Sequence, residues 1–214
     1  MIVVNFKTYA QSTGTAAVRL AKICKQVSEE TKVRVVCAVQ TADLRDCVKT
    51  GADCWVQHID AIEPGRHTGF TLLEDVLSGG AVGTLLNHSE HKLEWEVLKQ
   101  TLVRLDNKLE VCVCSQDVVE SQKFATLRLK YVAYEPSELI ARRDISVASE
   151  KGEVIKQVVE VLRGTPVLVG AGVHSGNDVK ASLGYGAVGV LVATDVVLAD
   201  DPEKELRELA RAFK

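Results

Sequence analysis

The strictest constraint in this chain is an alternation: short apolar, β-branched runs are separated along the whole length by segments with helical period. The runs lie near residues 1–5, 33–39, 54–59, 82–87, 109–114, 131–134, 167–171 and 187–193, eight in all. They lack the clean polar/apolar alternation of half-exposed strands. Between them, Leu20, Ile23, Cys24 and Val27 share one helix face, as do Trp95, Leu98, Leu102 and Leu105. The same spacing joins Ile155, Val158, Val159 and Leu162, and again Leu206, Leu209, Ala210 and Phe213. Punctuation agrees: Thr41 and Asp43 precede the second helix and Gly51 follows it, Gly164 and Pro166 precede the seventh strand, and Asp201-Pro202-Glu203 opens the last helix. Buried strands alternating with helices imply a parallel sheet covered by helices, the α/β class. Eight units are what a closed (β/α)8 barrel needs, whereas an open doubly wound sheet more often has about five to seven strands. No linker, low-complexity tract or charge block interrupts the pattern, so residues 1–214 are expected to form a single domain.

Bulk properties exclude several classes of function. A hydrophobic content of 46% is ample for a sizeable core, and a formal net charge of −3 leaves no basic field to hold nucleic acid or an anionic membrane. Any anion must therefore be captured locally. "MIVVNFK" is too short for a signal sequence, and no run approaches a membrane span, so a cytoplasmic location is expected. Cys24, Cys37, Cys47, Cys54, Cys112 and Cys114 show neither a CxxC pair nor zinc spacing and read as buried core residues of a reducing compartment. Cys112 and Cys114, two apart on one strand, share a face and suggest packing only. His58, His67 and His174 read as loop or strand-end residues without ligand spacing, so no metal is expected.

In a barrel of this kind the site lies at the C-terminal ends of the strands. Polar residues where apolar runs stop are few: Asn5-Phe6-Lys7, Asn87-His88-Ser89-Glu90 and Glu135-Pro136, with "GAGV" at 170–173 and "ATD" at 193–195. A carboxylate can take a proton from carbon beside a carbonyl, an imidazole can hydrogen-bond the carbonyl and enediolate oxygens, and a fixed ammonium can hold developing negative charge. Exposed N–H groups after the last two strands can bind phosphate without a basic patch. The set reads as proton abstraction on a small phosphorylated carbonyl compound. Blander readings stand beside this one: Lys7 as a surface lysine, and Ser89 and Glu90 as cap residues of a helix starting at His88, with His91 in its first turn. The "GAG" glycines serve tight turning and phosphate binding equally, and the two readings stay open. Glu135 is the hardest to explain structurally, because a carboxylate ending a buried strand serves no evident folding purpose.

The segments "NFK" at 5–7, "QHIDAIEPGRHTG" at 57–69, "LNHSEHKL" at 86–93, "AYEP" at 133–136, "GAGVHSGNDVK" at 170–180 and "DPEKEL" at 201–206 resemble triosephosphate isomerases, in particular the short archaeal form. The resemblance runs from Val3 to Phe213 and implies the TIM-barrel fold and interconversion of dihydroxyacetone phosphate and glyceraldehyde 3-phosphate, without cofactor or metal. It implies Glu135 as the base, His88 as the electrophile, Lys7 as the cation held in place by Asn5, and Glu90 as a carboxylate close to Lys7. It also implies phosphate binding by Ala141, by Gly170, Ala171 and Gly172, and by Ala193 and Thr194. "EPGRHTG" resembles a loop that docks into a neighbouring subunit, implying a homodimer or homotetramer.

Two departures bear on function. The family's lid after Glu-Pro ends in Gly-Thr-Gly, where this chain has Ala141-Arg142-Arg143, with Asp144 as an insertion. Asp195 stands where relatives have glycine; the expectation is that it points away from the site, leaving the Ala193 and Thr194 N–H groups to bind phosphate. These departures keep two other readings in view: a catalytically degraded relative that binds a phosphorylated ligand or a partner, and an isomerase of another sugar phosphate.

Overall fold

A computed structural model describes residues 1–136 and 152–214. The expected lid residues Ala141, Arg142, Arg143 and Asp144 lie outside the described residues. The strands form a closed parallel barrel in sequence order. They are β1 (Ile2–Asn5), β2 (Val35–Val39), β3 (Asp53–Val56), β4 (Gly83–Leu86), β5 (Glu110–Ser115), β6 (Tyr131–Tyr134), β7 (Val167–Val169) and β8 (Gly189–Val192). Each coincides with one of the eight apolar runs. Around them lie α1 (Thr15–Thr31), α2 (Leu44–Val48), α3 (Leu73–Ser78), α4 (Trp95–Leu105), α5 (Val118–Phe124), α6 (Gly152–Val161), α7 (Gly176–Gly184), α8 (Thr194–Val197) and α9 (Pro202–Arg211). The last helix starts as its sequence indicates: the Asp201 side chain accepts the Lys204 N–H at 3.0 Å and Pro202 occupies the first turn.

Side chains alternate across the barrel wall with a period of two. Val3, Val36, Ala38, Trp55, Leu85, Cys112, Cys114, Ala133, Leu168 and Leu191 fill the interior. Their neighbours, such as Ile2, Val4, Cys37, Cys54, Val113, Val132 and Val190, pack outward against the helices. This two-sided burial explains why the strands read as continuous apolar runs. Trp55 is the largest fully buried side chain, and its register partner is Gly83. A Cβ at position 83 would lie 2.3 Å from Trp55 Nε1, so the missing side chain makes room for the indole.

The same parity carries past the strand ends. Asn5, Gln57, Glu135 and Gly170 each fall two residues beyond an inward-facing residue, namely Val3, Trp55, Ala133 and Leu168. The alternation that builds the core thus delivers these four to the mouth.

Candidate active site

Lys7 sits just past β1 with φ 48, a left-handed conformation that a lysine adopts only where its surroundings enforce it. Two side chains do so. Asn5 Oδ1 accepts the Lys7 N–H at 3.0 Å, and Gln57 Nε2 donates to the Lys7 carbonyl at 3.0 Å and to the Ala38 carbonyl at 3.2 Å. The backbone is thereby locked while Nζ reaches Glu90 Oε1 at 2.8 Å. Glu90 is more than half exposed, so this ion pair anchors the ammonium at the rim rather than neutralising it in the interior. Gln57 was not among the residues expected at the site; its position two beyond Trp55 was the available signal.

His88 is set by Asn87, which has φ 58. The Asn87 amide donates to the Cys114 carbonyl at 2.8 Å and to Glu120 Oε1 at 3.0 Å, while its Oδ1 accepts the Leu93 N–H at 2.9 Å. Residues 88–91 consequently close a turn, with the His91 N–H donating to the His88 carbonyl at 2.8 Å. The helix expected to start beside His88 begins only at Trp95, so His91 is not in its first turn. His88 is oriented by that turn instead: Nδ1 accepts the Glu90 N–H at 3.1 Å. An Nδ1 that accepts assigns the ring proton to Nε2, and Nε2 lies 3.6 Å from Glu135 Oε1. The imidazole therefore presents a donor to the mouth.

Glu135 follows β6 and is 3% exposed. Its N–H donates to the Ser115 carbonyl at 2.7 Å, extending the barrel ladder by one residue. Burial pushes its carboxyl above the usual carboxylate range; His88, the Cys114 thiol and Lys7 act in the opposite sense, and Glu90 adds to the rise. Oε2 is buried and accepts no hydrogen bond from the described residues. A buried acceptor without a donor is costly, which marks it as an atom kept for something else. The sequence marks Cys114 as a packing residue only. Its register partner is Ala133, and Glu135 lies two residues beyond, which places the thiol against the carboxylate.

The glycines after β7 now separate. The Gly170 N–H donates to the Tyr134 carbonyl at 2.8 Å and is spent within the ladder. A Cβ there would lie 2.5 Å from Glu135 Cγ, so this glycine makes room for the carboxylate. Gly172 has φ 61 and makes the turn. Ala171 between them is buried. After β8, Ala193 caps α8, and its carbonyl accepts the N–H groups of Val196 and Val197. Thr194 Oγ1 lies 3.5 Å from the Tyr9 hydroxyl. Asp195 is not an unpaired carboxylate: Oδ2 lies 3.0 Å from His174 Nδ1. Ala141 lies outside the described residues.

A cleft of about 460 Å³ opens over Asn5, Lys7, His88 and Glu90 and runs outward past His58 and Asp60. His58 Nε2 lies 3.1 Å from Asp60 Oδ1 there, its ring centroid is 4.2 Å from that of His91 with the planes tilted by 31°, and burial holds its pKa below the usual value.

Comparison with known proteins places nearly the whole chain beside one family. The profile of a family described as triosephosphate isomerase matches residues 1–212. The triosephosphate isomerase of Methanothermus fervidus is 42% identical over 215 residues, covering 98% of this chain and 96% of its own length. That of Methanopyrus kandleri is 42% identical, covering 97% of this chain and 95% of its own length. That of Methanocaldococcus jannaschii is 40% identical and covers 99% of each.

Proposed function

The chain belongs to the triosephosphate isomerase family, and from that premise we propose how its own residues perform the reaction. It is an intramolecular aldose–ketose isomerase that interconverts dihydroxyacetone phosphate and D-glyceraldehyde 3-phosphate. The observation that carries the proposal is the convergence of Glu135, His88 and Lys7 on one mouth, with Glu135 Oε1 3.6 Å from His88 Nε2.

Glu135 removes a proton from C1 of dihydroxyacetone phosphate. The electron pair of that C–H bond becomes the C1=C2 double bond, the π pair of the C2 carbonyl moves onto its oxygen, and the enediolate forms. His88 Nε2–H donates to the substrate oxygens, and Lys7 Nζ stabilises the negative charge that develops there. Glu135 then returns the proton to C2 while the C1 hydroxyl proton passes to the C2 oxygen, giving the aldehyde at C1 and a hydroxyl at C2. A carboxyl whose pKa burial has raised is a stronger base than an exposed one, which matches it to a weakly acidic C–H. Asn5 and Gln57 act through Lys7, and Glu90 fixes its ammonium. The substrate phosphate rests on the backbone of Ala171, Gly172, Ala193 and Thr194, with Gly170 leaving space for the Glu135 carboxylate beside it; Ala141, which the resemblance adds to this set, lies outside the described residues. Residues 1–214 act as one barrel unit in the cytoplasm and self-associate as a homodimer or homotetramer. What supports self-association is the exposed loop at 63–70, which ends on Phe70 at 56% exposure.

The test is a coupled assay of glyceraldehyde 3-phosphate isomerisation, with methylglyoxal followed in parallel as the product of phosphate loss from an unprotected enediolate. The expected result is turnover with little methylglyoxal, and a loss of about 10²–10⁴-fold in kcat for Glu135→Gln. Turnover retained by Glu135→Gln removes that residue from the mechanism, and an inactive parent protein overturns the reading.

A further inference from the structure

The ends of β7 and β8 carry a pair for which the proton transfer has no use. His174 follows the 170–173 turn, and Asp195 is the second residue of α8. His174 Nδ1 and Asp195 Oδ2 are 3.0 Å apart, and both side chains are about three-quarters buried. Each partner is fixed on its own element. The His174 N–H donates to Asp178 Oδ2 at 3.1 Å, an oxygen that also takes the Ser175 hydroxyl at 2.8 Å in the first turn of α7. Asp195 rides on α8, which packs against α9. The pair therefore joins the starts of two helices that follow neighbouring strands.

Asp195 raises an electrostatic problem. It stands one residue beyond Thr194, next to backbone assigned to a phosphate dianion, and like charges at short range repel strongly where water is excluded. Its charge is also felt on α9, where it adds to the effect of burial and of Glu208 in raising the Glu205 carboxyl. A carboxylate only accepts, so the Nδ1–H of His174 is the donor that holds it.

We infer that His174 is a positioning residue for the substrate phosphate: it holds the Asp195 carboxylate off the phosphate seat and pins the two halves of that seat, after β7 and after β8, to each other. The inference rests on the phosphate reading given above. Its sign is specific, because the effect of removing His174 on affinity is expected to depend on whether the Asp195 carboxylate is present.

The experiment is a set of variants: His174→Leu, which removes the donor; His174→Asn, which keeps an N–H close to the position of Nδ1; and His174→Leu with Asp195→Gly. His174→Leu is expected to raise KM for glyceraldehyde 3-phosphate about tenfold with kcat within about twofold, as removal of a contact made equally to substrate and transition state requires. His174→Asn is expected to recover most of the loss, and adding Asp195→Gly to His174→Leu to return KM to near the parent value. An unchanged KM in His174→Leu overturns the inference, as does a raised KM that Asp195→Gly leaves raised. The same series is read without turnover by the rise in melting temperature with inorganic phosphate, which gives a dissociation constant for each protein. A parent protein that binds phosphate but does not isomerise defeats the isomerase reading and leaves the phosphate series to decide this one. A parent protein that gains no stability from phosphate defeats both.

Discussion

Burial opposes the ionised form of Glu135. The carboxyl is buried, its raised pKa is caused first by that burial, and Oε2 has no donor among the described residues. A group whose folded pKa lies above its unfolded value contributes stability that is complete below the unfolded pKa and lost as pH rises through the folded one. Ionisation of Glu135 as pH rises therefore weakens the fold. Glu135→Gln, neutral at every pH, is expected to melt above the parent protein at pH 7, and the gap is expected to close as pH falls towards the ordinary glutamate value of about 4.3. Melting curves over that range check it; a gap independent of pH contradicts the raised pKa. The acid limb of kcat/KM is expected above the ordinary carboxylate range for the same reason. Much of this site could be read from linear sequence, because a lysine, a histidine and a glutamate each end an apolar run. Cys114 and Gln57 could not, because their contacts cross from strand to strand: the thiol meets Glu135 through the β5–β6 register, and the amide meets Lys7 from β3.

All eight strands were readable because burial on both faces demands unbroken β-branched and apolar runs, and α1, α4, α6 and α9 because ten or more residues display a helical period. Helices α3 and α5, with six and seven residues, are shorter than two turns and show no period. The fourth helix starts later than its sequence suggests, because Ser89 and Glu90 look like cap residues while the side chain of Asn87 diverts the chain into a turn first. At the same scale, the pairing of β3 with β4 depends on an empty Cβ position. Gly83→Ala sets a methyl group 2.3 Å from Trp55 Nε1, and because that contact is enclosed by the barrel wall, the ring has little room to retreat. The expected cost is about 1–3 kcal/mol, read as a lower urea midpoint. Unchanged stability means that the barrel breathes at this level more than a close-packed interior allows.

For the whole molecule, the barrel mouth is assembled by parity, and its surroundings by loops. The exposed segment at 63–70 lies beside the cleft, whose lining includes Phe70. If copies of the chain meet there, Phe70→Asp is expected to reduce the mass measured by light scattering; an unchanged mass places the contact elsewhere. No helix among the described residues is long and apolar enough to cross a membrane. All six cysteines are free and buried, and they divide between two regions. Cys112 and Cys114 lie inside the barrel, whereas Cys24, Cys37, Cys47 and Cys54 lie between the strands and the helical layer. A thiol reagent in the surrounding solution thus finds no target until one of these regions opens. The protein carries its own pair of clocks: the labelling rate of one set times the loosening of the outer layer, and that of the other times the parting of the staves.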